Sequence, residues 1–333
     1  MEREVEISIG SAQRIPQQEA VCGMRQYVCW SEVARAHYIA LSVFHDVFGD
    51  TYTKPLYIEK NSYTLSLAES CHERRLLGRD FFSLIKTRDG IYRFNADIYK
   101  DAQRVLCLSL ETSHSLGFGL AKASMSEVQK AYSPAEAYLE AKARNATVRA
   151  AASFVLQQVG VSEDNLGLIG SLAIDPTVEA RDLDLVFTGS LSTLDLAYQW
   201  IHQGHAPGTP LRREIPPLPT ICAFFTARPV AYPDLSQFRV LDREVKDFDV
   251  LIREPLSPTY LNIQVYVASL SGRNEQVILV VRDPLSRDSL KPGIPVRLRG
   301  YSSTIHREPA ILVTDVEQQI PTVCFHGGGT KCS

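Results

Sequence analysis

The sequence predicts an α+β protein in three parts: an N-terminal α/β module over residues 1–130, a middle unit of mixed sheet flanked by helices over 131–256, and a small β-barrel over 257–333. Three observations carry that reading. A chain of 333 residues suits two or three domains. Its middle part runs helix, strand, turn, strand, helix in short capped segments. Its last part carries short apolar runs separated by turn residues, the spacing of an all-β barrel.

In the N-terminal part, Val33, Ala36, His37, Ala40, Leu41, Phe44 and Val47 recur at helical spacing. A helix is therefore expected from Trp30 to Phe48, stopped by Gly49-Asp50. Asp80 to Phe94 reads as two strands joined at the Asp89-Gly90 turn, and Arg104 to Leu110 as another strand. Ser133 and Glu136 form a capping box around Pro134, opening a helix that runs to about Val159 with Gly160 as its stop. Leu166 to Ser171 is a short strand ending in a turn, Arg181 to Phe187 the next strand, and Thr193 to His202 a helix. Gly204 to Pro219, rich in Pro, Gly and Arg, is expected to be a surface loop. Ile221 to Phe225 and Lys246 to Ile252 are strands, and Glu254 to Pro258 a linker. The barrel strands are Tyr260 to Ala268, Gln276 to Val281, Val296 to Tyr301 and Ala310 to Val316.

Composition is that of a globular protein, 45% apolar and 22% charged, and a net charge of −3 excludes a globally basic binder. No apolar run reaches the ~18–20 residues that span a bilayer, so no membrane partner is expected. The acidic, polar start Met1-Glu-Arg-Glu-Val-Glu6 does not read as a signal peptide. Seven irregularly spaced cysteines suit a reducing compartment, and cytoplasm is expected. Cys22 and Cys29, with Cys324, His326 and Cys332, lack the tight spacing of a zinc knuckle and are expected to be free. His202 and His205 lie near a helix end, where satisfying carbonyls is expected before metal binding.

The chemistry lies in Gly170-Ser171, followed after ten residues by Asp182-Leu-Asp184-Leu. A Gly-Ser turn that opens a helix presents backbone N–H groups and a hydroxyl to phosphate oxygens, and the helix N-terminus favours their charge. Asp182 and Asp184, two apart on a strand, face the same side. Two carboxylates beside a triphosphate suit Mg²⁺, and a third on a neighbouring strand would complete a two-metal site.

Leu168-Ile-Gly-Ser171 with Asp182-Leu-Asp184 resembles the signature of the polymerase-β-like nucleotidyltransferase superfamily, so the middle unit is expected to be its core. The resemblance implies an NTP substrate, Mg²⁺ (or Mn²⁺) as cofactor, and metal and catalytic roles for Asp182 and Asp184. It implies a third carboxylate on a later strand between apolar neighbours, a place Asp249 fits and Asp247 offers as the alternative. Gly170 and Ser171 would hold the triphosphate. The family's usual Arg or Lys soon after the turn is missing, so phosphate contacts are expected from Arg181, Arg212 or Arg213. More loosely, Arg79-Asp-Phe81 and Asp89-Gly90 ahead of the core are similar to uncharacterised prokaryotic predicted nucleotidyltransferases.

Residues 257–333 resemble an OB-type barrel, a fold often used for single-stranded nucleic acid. The segment carries eight basic and six acidic side chains. Arg297, Arg299 and Tyr301 are expected on one strand face, cations beside an aromatic for a phosphate backbone and a stacked base. The expected activity is transfer of a nucleoside monophosphate to an acceptor, a nucleic-acid 3′ end first. A protein hydroxyl on a partner, or nucleic-acid binding by a degenerate core without transfer, are the other expectations.

Overall fold

The computed structural model of the chain describes residues 24–45, 50–87, 96–106, 110–112, 119–124, 127–179, 182–203, 212–227, 239–258, 261, 263–271, 275–281, 290–305 and 307–319. Zinc candidates Cys22, Cys324, His326 and Cys332, with His205, Arg181 and the Asp89-Gly90 turn, lie outside the described residues.

Among the described residues, the N-terminal part is a sheet covered by one α-helix. Its elements are β1 (Gln26–Ser31), β2 (Ala36–His45), β3 (Asp50–Glu59), β4 (Cys71–Leu76), β5 (Arg79–Thr87), α1 (Ala96–Leu106), β6 (Leu110–Thr112), β7 (Gly119–Ser124) and β8 (Val128–Tyr132). The strands run β4-β5-β3-β2-β1-β8, with β7 pairing both β3 and β6. Trp30 to His45, expected as helix, is thus the end of β1, a turn and β2. The reason is burial on both sheet faces. Ala36, Tyr38 and Ala40 pack with Ile98, Ala102 and Leu106 of α1, while Ile39 packs on the opposite face with Val28 and Tyr57. Apolar residues on both faces of a strand leave no period-two signal, so helical spacing arises by coincidence. Arg104 to Leu106, expected as strand, close α1, whose buried Ile98, Ala102 and Leu106 recur at helical spacing.

The middle part holds α2 (Pro134–Arg144), α3 (Ala146–Val159), β9 (Leu166–Ile169), α4 (Ser171–Ile174), β10 (Asp182–Gly189), α5 (Leu191–His202), β11 (Arg212–Ile215) and β12 (Leu218–Ala227). The Ser133 cap and the left-handed Gly160 stop are where the sequence puts them. Between them Asn145 divides the helix. It ends α2, and its side-chain oxygen accepts from the amides of Thr147 and Val148 at 3.0 and 3.2 Å. Its amide nitrogen donates to Pro176 and Val178 carbonyls, tying the break to the loop after α4. The four strands run β11-β12-β10-β9, with β10 and β12 parallel and the other pairs antiparallel. Leu183, Leu185 and Phe187 alternate onto a core shared with α2, α3 and α5, where Phe187 stacks on Phe225 at 5.4 Å. Each such fully buried side chain stabilises by about 1.5–3 kcal/mol.

The last part is a closed barrel of β13 (Arg239–Pro255), β14 (Gln264–Leu270), β15 (Gln276–Val281), β16 (Pro295–Ile305) and β17 (Glu308–Gln319). Its order is β13-β14-β15-β17-β16, with β15 and β17 parallel, which is compatible with an OB-type barrel. The barrel begins at Arg239, inside the span that the sequence assigns to the middle unit.

The two sheets of the first two parts face one another. Val28, Ile39, Leu56, Tyr57 and Phe81 pack against Ile174, and Met24 with Leu41 packs against Ile169, Val186 and Phe224. The β4–β5 turn is anchored too, since the Leu77 amide donates to the Asp175 carboxylate at 2.7 Å.

Candidate functional site

Asp182 and Asp184 are half-buried on β10, on the face opposite the helical core. Asp184 lies opposite Ile169 of β9 on one side and Cys222 of β12 on the other. The preceding turn closes onto it. Gly170 has φ +79°, and a Cβ built there would stand 2.1 Å from the Asp184 Oδ2. Only glycine lets the β9–α4 turn approach the carboxylate so closely. The two halves of the motif therefore meet in space. Ser171 follows, 8% exposed, at the start of α4. That helix spans four residues, too few for the aligned dipole expected of a helix N-terminus.

The rest of the site comes from outside the motif. Arg212 on β11 pairs across from Cys222. The Cys222 thiol lies within hydrogen-bonding reach of Asp184; burial pushes its pKa up to about 12, Asp184 adds to this and Arg212 opposes it. From the facing sheet come Tyr57 and Arg74, close enough for the arginine to act on the tyrosine hydroxyl. Burial pushes the Tyr57 hydroxyl up to about 12, with Arg74 opposing and Asp184 and Asp182 adding their charge. Arg74 also acts on Asp175, whose carboxyl stays below its ordinary range despite burial because Thr177 and the Leu77 amide donate to it. The charges of two carboxylates and of two guanidinium groups, one from each sheet, thus act on the same surroundings.

No protein-family model, curated protein or solved structure matches the chain.

Asp249 does not join Asp182 and Asp184. The neighbours of β10 are β9 and β12, whereas Asp249 is on β13 of the barrel. There it faces Arg297 in register and accepts two hydrogen bonds from it, at 2.7 and 2.9 Å. Asp247 is likewise taken by Arg299, at 3.3 Å. On β12 the positions opposite Asp182 and Asp184 are Thr220 and Cys222, not carboxylates. Among the described residues, no three Asp, Glu, His or Cys side chains converge as a metal-ion set. The two aspartates still fit Mg²⁺, which commonly takes one or two carboxylates and completes its shell with substrate phosphates and water.

The barrel face is also corrected. Arg297 and Arg299 are half-buried in their ion pairs, but Tyr301 is fully buried. Along β16 the buried positions change from Val296 and Leu298 to Tyr301, Ser303 and Ile305, and between Arg299 and Gly300 the ladder to β17 skips one residue of β17. Gly300 marks the place, since a Cβ there would meet the Leu312 carbonyl at 2.5 Å. Tyr301 does not share the face of the arginines.

Among the other candidates, Arg213 lies over the Trp200 ring at 4.3 Å and donates to the Trp200 carbonyl. His202 stacks on Tyr198 at 5.4 Å, and Cys29 is buried with Tyr38. Arg74 and Tyr57 had no local signal, being more than a hundred residues ahead of the aspartates.

Proposed function

We propose that the Asp182–Asp184 face binds a metal–NTP complex and transfers its nucleoside monophosphate to a hydroxyl acceptor. The observation that carries this reading is the contact of the Gly170 turn with the Asp184 carboxylate, which brings the two halves of the motif together. Asp182 and Asp184 would hold Mg²⁺ or Mn²⁺, which supplies charge neutralisation at the phosphates and polarises the phosphoryl oxygen under attack. Arg74 and Arg212 stand where the anionic triphosphate needs fixed cations. They take the role that the motif's missing basic residue would have filled. Transfer joins the acceptor oxygen to the α-phosphorus as the α–β anhydride bond breaks, releasing pyrophosphate and the hydroxyl proton.

A second reading is binding without transfer, favoured by Thr220 and Cys222 standing where a third carboxylate would neighbour the pair. The acceptor is open to a nucleic-acid 3′ end, for which the barrel's strand order speaks, and to a protein hydroxyl. Incubation with each labelled NTP, with and without RNA or DNA, separates these outcomes. Transfer predicts pyrophosphate release that Asp184→Ala abolishes in a folded protein. NTP binding without pyrophosphate selects the second reading, and no metal-dependent NTP binding removes both.

A further inference from the structure

The layer between the two facing sheets contains polar atoms that the protein itself leaves without hydrogen bonds. Among the described residues, both amide atoms of Gln26, the Ser83 hydroxyl and the Thr226 hydroxyl are buried without a partner. Gln26 is 1% exposed. It has the strand parity of Val28 and lies across from Leu41, so it projects from the sheet face that packs on Ile169 and Val186. Those two residues flank Asp184, Ile169 by strand pairing and Val186 two positions along the same face, about 7 Å away. Ser83 lies across from Tyr57, whose hydroxyl feels the Asp184 charge from the opposite sheet. Thr226 lies on the Asp184 face of β12, four residues beyond Cys222.

Buried amides and hydroxyls are nearly always paired, and an unpaired one is a standing cost to folding. Apolar residues of the same volume would remove that cost. The presence of these polar groups beside the proposed phosphate-binding face points to a ligand that supplies the missing partners. A primary amide carries a donor and an acceptor side by side, the pattern that the hydrogen-bonding edge of a nucleobase complements. The apolar side chains of Leu41 and Val186 would cover a ring's flat faces.

We propose that this inter-sheet layer is the nucleobase subsite, with Gln26 reading the edge of the base. The inference rests on the nucleotide reading of the Asp182–Asp184 face. It makes the N-terminal sheet the part that identifies the nucleotide, while β10 holds its phosphates.

The test compares binding of Mg²⁺-complexed ATP, GTP, CTP, UTP and inorganic tripolyphosphate to the full chain and to Gln26→Leu. The wild type is expected to bind at least one NTP more tightly than tripolyphosphate. Gln26→Leu should weaken that NTP about 10- to 100-fold, the loss of two hydrogen bonds, and leave tripolyphosphate unchanged. Its melting temperature without ligand should stay level or rise, because an unpaired amide is removed. Gln26→Met supplies the same readout if the leucine variant fails to fold. Equal affinity of the wild type for tripolyphosphate and every NTP would overturn the subsite while leaving the phosphate face standing. Unchanged NTP affinity in both variants would do the same, and a wild type that binds neither probe overturns the underlying reading.

Discussion

At the scale of single residues, Gly170 combines two demands, a left-handed backbone and contact with a carboxylate. Gly78 in the β4–β5 turn has nearly the same φ, +76°, but nothing within 4 Å of a built Cβ. It therefore isolates the cost of a positive φ. Gly78→Ala should destabilise by about 1 kcal/mol. Gly170→Ala should cost more, about 2–4 kcal/mol, and should weaken metal-dependent NTP binding by displacing Asp184. Adding Asp184→Ala should return part of the stability, which a double-mutant cycle of thermal melts measures. Equal costs at the two glycines would mean that the contact with Asp184 is not tight in solution. The same residues explain what was legible in the sequence. Gly170, Ser171, Asp182 and Asp184 lie within fifteen positions, so local pattern and local geometry coincide. Asp249 has the right apolar flanks, but flanks do not reveal which sheet a strand joins. Tyr301 has the right spacing, but spacing does not reveal that it is fully buried.

At the scale of elements, legibility followed burial. Helix ends with strong caps were readable, as at Ser133 and Gly160, and so were the barrel strands, but the division of α2 from α3 at Asn145 was not. The β1–β2 hairpin was not, because apolar residues on both faces hide the alternation. Two predictions belong here. Asp249→Asn should leave metal-dependent NTP binding at the wild-type level and cost the barrel no more than about 1 kcal/mol, because both partners of the pair are about a third or more exposed. Loss of NTP binding in that variant would return Asp249 to the metal site. The second concerns Glu59, which joins β2, β3 and β5 through His37 at 2.6 Å and Arg79 at 2.8 Å. Burial raises its carboxyl, but hydrogen bonds from the His37 ring and amide and from Arg79 outweigh this and bring it down to about 2 from 4.5. A depressed carboxyl contributes stability fully above the unfolded value and loses it as pH falls toward the folded one. The stability advantage of wild type over Glu59→Gln should therefore be constant at neutral pH, shrink below about pH 4.5 and vanish near pH 2. An advantage that stays constant from pH 7 to pH 2.5 in thermal melts would mean that Glu59 is not ionically paired.

At the scale of the whole molecule, the candidate site belongs to neither sheet alone. Asp182, Asp184 and Arg212 come from the middle sheet, while Arg74 and Tyr57 come from the N-terminal one. Contacts already joining the sheets include the apolar layer and the bond from Leu77 to Asp175. A nucleotide bound across that layer adds a charged link to both. Its free energy is then available to both parts, about 2.7 kcal/mol at a hundredfold excess over Kd. Saturating Mg–NTP should therefore slow amide exchange in β3 and β4 as well as in β10 and β12. Arg74→Ala should keep the wild-type fold, weaken NTP binding by roughly tenfold or more, and confine the remaining protection to the middle sheet. The roles of the two arginines are separable in this way, because Arg212→Ala should weaken binding while leaving protection spread over both sheets. Protection confined to β10 and β12 in the wild type would place the nucleotide on the middle sheet alone. Arg74 would then serve only to hold Tyr57 and Asp175 in place, and its replacement would lower stability without changing NTP affinity.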